Sequence, residues 1–210
     1  MLKIQDSVRE ILYSDEDALS ALTRGYMNLS AYAKQIAKAV GAKSKKDANT
    51  ATIVVALSRL KKNAAKIEPL IQEVKINNIT TKSPLSEIVF EKNPQLLSRL
   101  SSLYEKVKTT NDDFLTMTLS TSEVTVICSD RLKNEVLKHF EDTPRLIATN
   151  LASIGLSLDP KYYPMPNITF SLIRKIAQKR IVLAETITTH TEIIFIFHGK
   201  NLPEILSLFK

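Results

Sequence analysis

The sequence predicts an α+β protein: an all-helical N-terminal part followed by two consecutive β-α-β-β-α units. Three observations carry this. From about residue 4 to residue 66, apolar residues recur at spacings of three and four, the period of a helix with one buried face. From Val74 onward the period shortens towards two, as in half-buried strands. The last 120 or so residues then read as one unit written twice, 69 positions apart. Thr121-Ser122-Glu123-Val124-Thr125-Val126-Ile127 falls on His190-Thr191-Glu192-Ile193-Ile194-Phe195-Ile196, Glu135-Val136-Leu137 on Glu204-Ile205-Leu206, and Phe140 on Phe209. Leu103 falls on Leu172 and Val107 on Ile176. An ungapped offset held through two kinds of element signals a duplicated structural unit.

The helical part opens with an amphipathic helix around Ser7 to Leu12. Asp15, Glu16 and Asp17 favour the positive end of a second helix, which carries Leu19, Leu22 and Tyr26, with Gly25 near its end. Asn28 or Ser30 caps a third helix bearing Leu29, Tyr32, Ala33, Ile36 and Val40, and Gly41 is its expected stop. Ala42 to Asp47 is a basic connector. Asn49 or Thr50 starts a fourth helix, Ala51 to Lys62. The β-branched run Thr52 to Val55 also suits a strand, but Ala56 to Lys62 continues the helical pattern.

Beyond it, Val74, Ile76 and Ile79 and then Ile88 to Phe90 read as two strands separated by Thr80 to Pro84. Asn93-Pro94 starts a helix running from Leu96 to Val107. Phe114–Leu119 and Glu123–Ile127 alternate like a hairpin, Arg131–Phe140 is helical, and Leu146–Ala148 is a short closing strand. The cycle restarts with strand Ile154–Leu158, helix Ile168–Lys179, strands Ile181–Ile187 and Glu192–Phe197, and helix Leu202–Phe209. With the closing strand, each copy is a βαββαβ, ferredoxin-like subdomain. The expected boundaries are residues 1–74 for the helical domain, 75–148 for the first copy and 149–210 for the second.

The bulk composition narrows the function. At 44% hydrophobic and 24% charged, the chain can bury a real core. Its longest apolar run, Ile193 to Phe197, is too short to cross a bilayer, and no secretory signal opens the chain. One cysteine, Cys128, precludes an internal disulfide, and a cytoplasmic setting is expected. Three histidines (139, 190, 198) offer no metal-ligand spacing. Four scattered glycines (25, 41, 155, 199) form no phosphate-cradling loop. A non-catalytic protein without a cofactor is expected.

The repeated residues resemble the paired ACT domains at the regulatory end of aspartokinases, over roughly residues 84 to 210. Ile187-Thr188-Thr189-His190-Thr191-Glu192-Ile193-Ile194-Phe195-Ile196, with helix Leu202 to Phe209 after it, is similar to that family's Ser/Thr-rich hairpin and following strand. Leu119-Ser120-Thr121-Ser122-Glu123-Val124-Thr125-Val126 is a weaker copy. The resemblance implies a free amino acid as effector, bound at a seam between paired domains. On this chain it implies contacts from Met165, Pro166, Asn167, Ile168 and Thr169, with Thr186, Thr188 or Thr189 on the facing strand. Unpaired N–H groups at a helix start suit the effector's carboxylate, although Asn167 also fits a simple helix cap. Asn93-Pro94-Gln95 stands at the corresponding, degenerate place in the first copy. Aspartokinases carry a large catalytic domain ahead of this region, and here only some 80 residues precede it, so kinase activity does not carry over.

The chain's net charge is +7, yet residues 34 to 66 alone hold nine Lys or Arg (34, 38, 43, 45, 46, 59, 61, 62, 66) against one acid, Asp47. Such concentration marks either a polyanion contact or a solvated helical face. The third and fourth helices have the size of a helix-turn-helix pair. In that reading Asn49, Thr50 and Thr52 make polar contacts to DNA, and Lys43, Lys45, Lys46, Arg59, Lys61 and Lys62 meet phosphates. Lys75–Thr80 and Leu85–Phe90 form a wing with Lys82 at its tip, unless the second of them belongs to the first ACT copy. The expected protein is a homodimeric, amino-acid-responsive transcriptional regulator. The alternatives are a stand-alone regulatory subunit of a biosynthetic enzyme and a structural module whose ligand site is lost.

Overall fold

The computed structural model describes residues 3–63 and 73–210. The helical reading of residues 64–66, Lys66 included, lies outside the described residues. The chain divides into two compact units, Met1–Gln72 and Glu73–Lys210.

The first unit holds four helices: α1 (Ile4–Tyr13), α2 (Glu16–Thr23), α3 (Leu29–Ser44) and α4 (Thr50–Asn63). Three of them start on a side-chain cap. Asp15, Asn28 and Asn49 accept hydrogen bonds from the N–H groups of Ala18, Ala31 and Thr52, contacts worth about 1 kcal/mol each. Val8, Leu12, Leu22, Ala33, Val40, Ile53 and Leu57 are fully buried in one core. Gly41 does not stop α3. The helix runs on to Ser44, buried like Val40, and ends at Lys45 in the left-handed region, φ 54°. Gly41 serves close approach instead: a Cβ there would meet the Lys46 carbonyl oxygen at 3.4 Å.

The second unit is built on strands β1 (Ile76–Glu91), β2 (Leu115–Leu119), β3 (Glu123–Ser129), β4 (Leu146–Leu158), β5 (Leu183–Thr188) and β6 (Glu192–His198). They form one sheet in the order β2-β3-β1-β4-β6-β5, and every pairing is antiparallel. Helices α5 (Pro94–Leu100), α6 (Leu103–Lys106) and α7 (Lys133–Phe140) belong to the first copy, and α8 (Ile168–Gln178) and α9 (Leu202–Phe209) to the second. The expected helix from Leu96 to Val107 is thus broken. The Ser98 and Ser102 hydroxyls donate to the carbonyls of Gln95 and Arg99, the local competition that weakens serine in helices.

The two longest strands correct the expected outline. Ile76 and Phe90 lie on one strand, so no separate wing forms. Pro84 removes a ladder donor, and the pairing with β4 shifts register between Lys82 and Leu85 rather than ending. Lys82 is not at a tip; its ammonium donates to the Asp112 carbonyl at 2.6 Å. The segments expected as Leu146–Ala148 and Ile154–Leu158 are likewise one strand.

Each long strand serves both copies. The second half of β1, from Leu85, pairs with β3, and the second half of β4, from Leu151, pairs with β6. The first half of β1, Ile76 to Lys82, pairs with Leu158 to Ser153 and completes the second copy. The first half of β4 pairs with Leu85 to Val89 and completes the first. Each copy thereby gains its fourth strand, and the ferredoxin-like order is met twice.

Helices cover one sheet face with two cores. Ile88, Phe90, Leu96, Leu103, Val124, Val126 and Phe140 build the first. Ile154, Leu156, Leu172, Ile176, Phe195 and Ile205 build the second. On the opposite face Leu85, Ile127, Leu151 and Ile196 are buried together. Glu87 is buried there too. Burial pushes its carboxyl pKa up, and so does the charge of Glu185, three strands away in the sheet. Only a curled sheet brings these residues within reach, so the seam between the copies is packed with side chains.

Candidate ligand site and basic face

The repeat offset reappears as hydrogen bonds. The Ser120 N–H donates to the Glu123 carbonyl at 2.9 Å, and the Thr189 N–H to the Glu192 carbonyl at 2.8 Å. Ser120 Oγ accepts from the Glu123 N–H, and Thr189 Oγ1 from the Glu192 N–H. Both hairpins close through the same hydroxyl.

The copies part company between the first strand and the first helix. In the first copy that link is residues 92–93, and in the second it is residues 159–167, with a 3-10 turn at Pro160–Tyr162. The short link seals itself. Asn93 Oδ1 accepts from the Leu96 N–H at 2.7 Å, Asn93 Nδ2 donates to Asp142 at 2.9 Å, and the Lys92 ammonium donates to the Ser120 carbonyl at 3.2 Å. The long link leaves a cavity of about 450 Å³. The strand end (Leu158), the link (Asp159, Tyr162, Tyr163, Met165, Asn167), the start of α8 (Ile168 to Phe170) and the hairpin tip (Thr188 to Ile193) line it.

Six of the eight residues named as expected ligand contacts meet there: Met165, Asn167, Ile168, Thr169, Thr188 and Thr189. Pro166 and Thr186 are not among the lining residues. Every lining residue belongs to the second copy, so the cavity is not at the seam inside the chain. Asn167 lies in the left-handed region, φ 66°, and its side chain does not cap α8. Its carbonyl takes the Ser171 N–H and hydroxyl instead. The first N–H groups of a helix have no intrahelical partner, so those of α8 are not satisfied as Asn93 satisfies Leu96.

Two carboxylates line the cavity. Asp159 is committed to Lys161: it accepts from the Lys161 N–H at 2.9 Å and faces its ammonium at 3.8 Å. Glu192 is half-buried and forms no ion pair among the described residues. Its repeat mate Glu123 does, reaching Arg145 at 3.4 Å, and by strand register the place equivalent to Arg145 is held by Ile79. The rings of Tyr163 and His190 pack 4.7 Å apart across the rim. From sequence Glu192 was marked only as the repeat counterpart of Glu123. Its missing cationic mate shows only once β1 is paired with β4.

In the helical unit, Lys45, Lys46, Asn49, Thr52, Arg59, Lys61 and Lys62 are exposed and Thr50 is half-buried. Asn49 and Thr52 are engaged with each other, since Asn49 caps α4 and accepts the Thr52 hydroxyl at 2.8 Å. Lys43 is held by Glu10 at 2.6 Å. Lys34, Lys38, Lys45, Lys46, Arg59, Lys61 and Lys62 form no ion pair among the described residues. On α4 the exposed residues Thr52, Val55, Arg59 and Lys62 follow one another at helical spacing, opposite buried Ile53, Ala56, Leu57 and Leu60.

Cys128 is buried, and burial pushes its thiol up to about 11. Among the described residues no three or more His, Cys, Asp or Glu side chains are placed to hold a metal ion. No described helix is long and apolar enough to cross a membrane.

No protein-family model matches the chain, and no curated protein does. Solved structures do. Aspartate kinase from Clostridium acetobutylicum, described as an allosteric enzyme, superposes with a TM-score of 0.55 at 12% identity, over 66% of this chain and 35% of that one. The ligand-free regulatory subunit of aspartate kinase from Thermus thermophilus gives 0.53 at 9%, over 64% of this chain and 95% of that one. Aspartokinase III of E. coli, in complex with aspartate and ADP, gives 0.52 at 10%, over 65% and 33%. The chain spans about a third of the two whole enzymes. The likeness establishes the fold of an aspartokinase regulatory region.

Proposed function

We propose that the protein is a non-catalytic regulator whose second copy binds a free amino acid in the cavity between 159–167 and the hairpin tip. One observation carries this reading. The helix start in the first copy is closed by Asn93, while its counterpart in the second lacks a side-chain cap and opens on a polar-rimmed cavity. The start of α8 favours a carboxylate, and Glu192 offers a counter-charge to an ammonium. A zwitterion supplies both groups. The neighbouring structures support the fold this reading needs.

A thermal-shift screen of the twenty proteinogenic amino acids tests it. At ~100 times its dissociation constant, the effector stabilises the fold by about 2.7 kcal/mol. If none raises the melting point, the reading fails.

The helical unit is the output in this proposal, contacting DNA through α3 and α4. The seven cations between Lys34 and Lys62 that form no ion pair among the described residues support this, because acids are concentrated on α1 and the start of α2. The affinity for a random duplex then falls steeply with added salt as counterions are released; no binding at low salt removes the DNA contact. The protein is expected to be a homodimer, which light scattering checks. A second reading, a stand-alone regulatory subunit for a biosynthetic enzyme, draws on the match across 95% of a free regulatory subunit. It predicts affinity for an enzyme and none for DNA.

A further inference from the structure

We infer that occupation of the cavity is read out through the strand half Lys75–Lys82, the stretch by which the chain enters the sheet from the helical unit, and that Tyr162 ties the two together. The inference rests on the ligand reading above and names how that site is coupled. Tyr162 lines the cavity, and its hydroxyl accepts the Lys75 N–H at 3.0 Å. A second approach lies at Gly155. A Cβ there would come within 2.5 Å of both Glu192 Oε1 and Thr80 Oγ1, so both side chains occupy the space over the bare backbone. Glu192 lines the cavity and Thr80 lies on the entry strand. Val74, Ile76 and Ile79 also pack on the same core as Tyr162 and Met165.

This strand half is easily displaced. Among the described residues the backbone of Ile76–Lys82 pairs with β4 alone, because the ladder with β3 starts only at Leu85. A single-sided edge opens locally at lower cost than the sheet centre. The first copy ties the matching stretch in a different way: Asn93 reaches Asp142, just ahead of β4. That tie leads to a link inside the sheet unit, while the Tyr162 tie leads to the link with the helices. A ligand that favours the closed place of Tyr162 and Glu192 shifts the entry strand by its differential affinity for the two states.

Amide hydrogen exchange on the full chain tests this in three arms. The probes are the twenty amino acids added singly, a cavity-filling Thr169→Trp variant, and Tyr162→Phe. Occupation by the amino acid that binds, or by the tryptophan, slows exchange of residues 75–82 by about tenfold and leaves the equivalent edge 146–151 unchanged. Without ligand, Tyr162→Phe speeds exchange at 75–82 about fivefold, the loss of one hydrogen bond. In that variant the amino acid protects 75–82 by less than about twofold. Equal protection of both edges, or full protection retained in Tyr162→Phe, overturns the inference. So does an occupied cavity that leaves 75–82 unchanged. If no amino acid acts while Thr169→Trp slows 75–82, the amino-acid reading falls and the coupling stands. Should Thr169→Trp fail to fold, the unliganded Tyr162→Phe comparison decides.

Discussion

In the first copy, residues 92–93 carry the chain from strand to helix, and Asn93 spends its amide on Leu96 and Asp142. In the second, residues 159–167 make the same connection and Asn167 leaves the helix start uncapped. The sheets, hairpins and covering helices otherwise correspond. A duplicated fold therefore holds one self-satisfied copy beside one with unsatisfied groups around a cavity, and the length of a single link separates them. In the proposed function, the capacity to bind rests on what the chain leaves unpaired.

The comparison is broken or sharpened by paired substitutions. The largest effect is expected at the last helical phenylalanine of each copy. Phe140 is fully buried against Phe90 at 4.9 Å, while Phe209 is slightly exposed, next to the final residue Lys210. Phe140→Ala costs about 3–5 kcal/mol in urea unfolding, and Phe209→Ala costs less, since Phe209 is less completely buried and its ring lies farther from its partner Phe195, at 6.3 Å. Equal losses would mean that the copies are held alike.

Next come the two asparagines. Asn93→Ala removes a cap and costs about 1 kcal/mol. Asn167→Gly changes stability by less than about 0.5 kcal/mol, because glycine adopts φ 66° freely. A clear loss for Asn167→Gly would show that its amide serves the fold.

Glu87 tests the seam. Its carboxyl pKa is raised above the ordinary 4.5 by burial and by Glu185, so the folded chain binds the proton more tightly than the unfolded one. The contribution of Glu87 to stability is then greatest in acid and falls as pH rises from the ordinary value through the raised one. Glu87→Gln is expected to raise the melting temperature by about 2 °C at neutral pH and by nothing at pH below the ordinary glutamate range. A gain independent of pH would assign the effect to packing.

The smallest change concerns Glu123 and Glu192. Glu123→Gln weakens an exposed pair with Arg145 and costs at most about 0.5 kcal/mol. Glu192→Gln leaves the unliganded melting point unchanged and removes the stabilisation by the amino acid.

Much of this was legible in the chain. The offset from Glu123 to Glu192 fixed both hairpins, and Asp15, Asn28 and Asn49 announced their helices. The long strands were hidden, because Thr80 to Pro84 carries turn chemistry and only pairing with β4 shows that Pro84 sits at a register shift. Tyr162 was also hidden: its partner Lys75 is 87 residues away, beyond any local pattern. Met165 to Thr169 were named through the resemblance to paired ACT domains, but the uncapped state of α8 depends on a backbone angle at Asn167 that residue type alone does not dictate.

The reciprocal lending of strand halves has a consequence for ancestry and engineering. A protein cut between residues 148 and 149 would leave the first fragment with its own fourth strand and a surplus half-strand, Ile76–Lys82, and the second without the edge that half-strand supplies. A gene encoding one repeat would yield a chain with a surplus half-strand and a vacant sheet margin, a combination that two identical molecules satisfy by embracing each other. The tandem chain holds in one molecule the half-strand exchange that such a pair would make between two. Its two halves need not be alike, and one keeps a sealed helix start beside an open one.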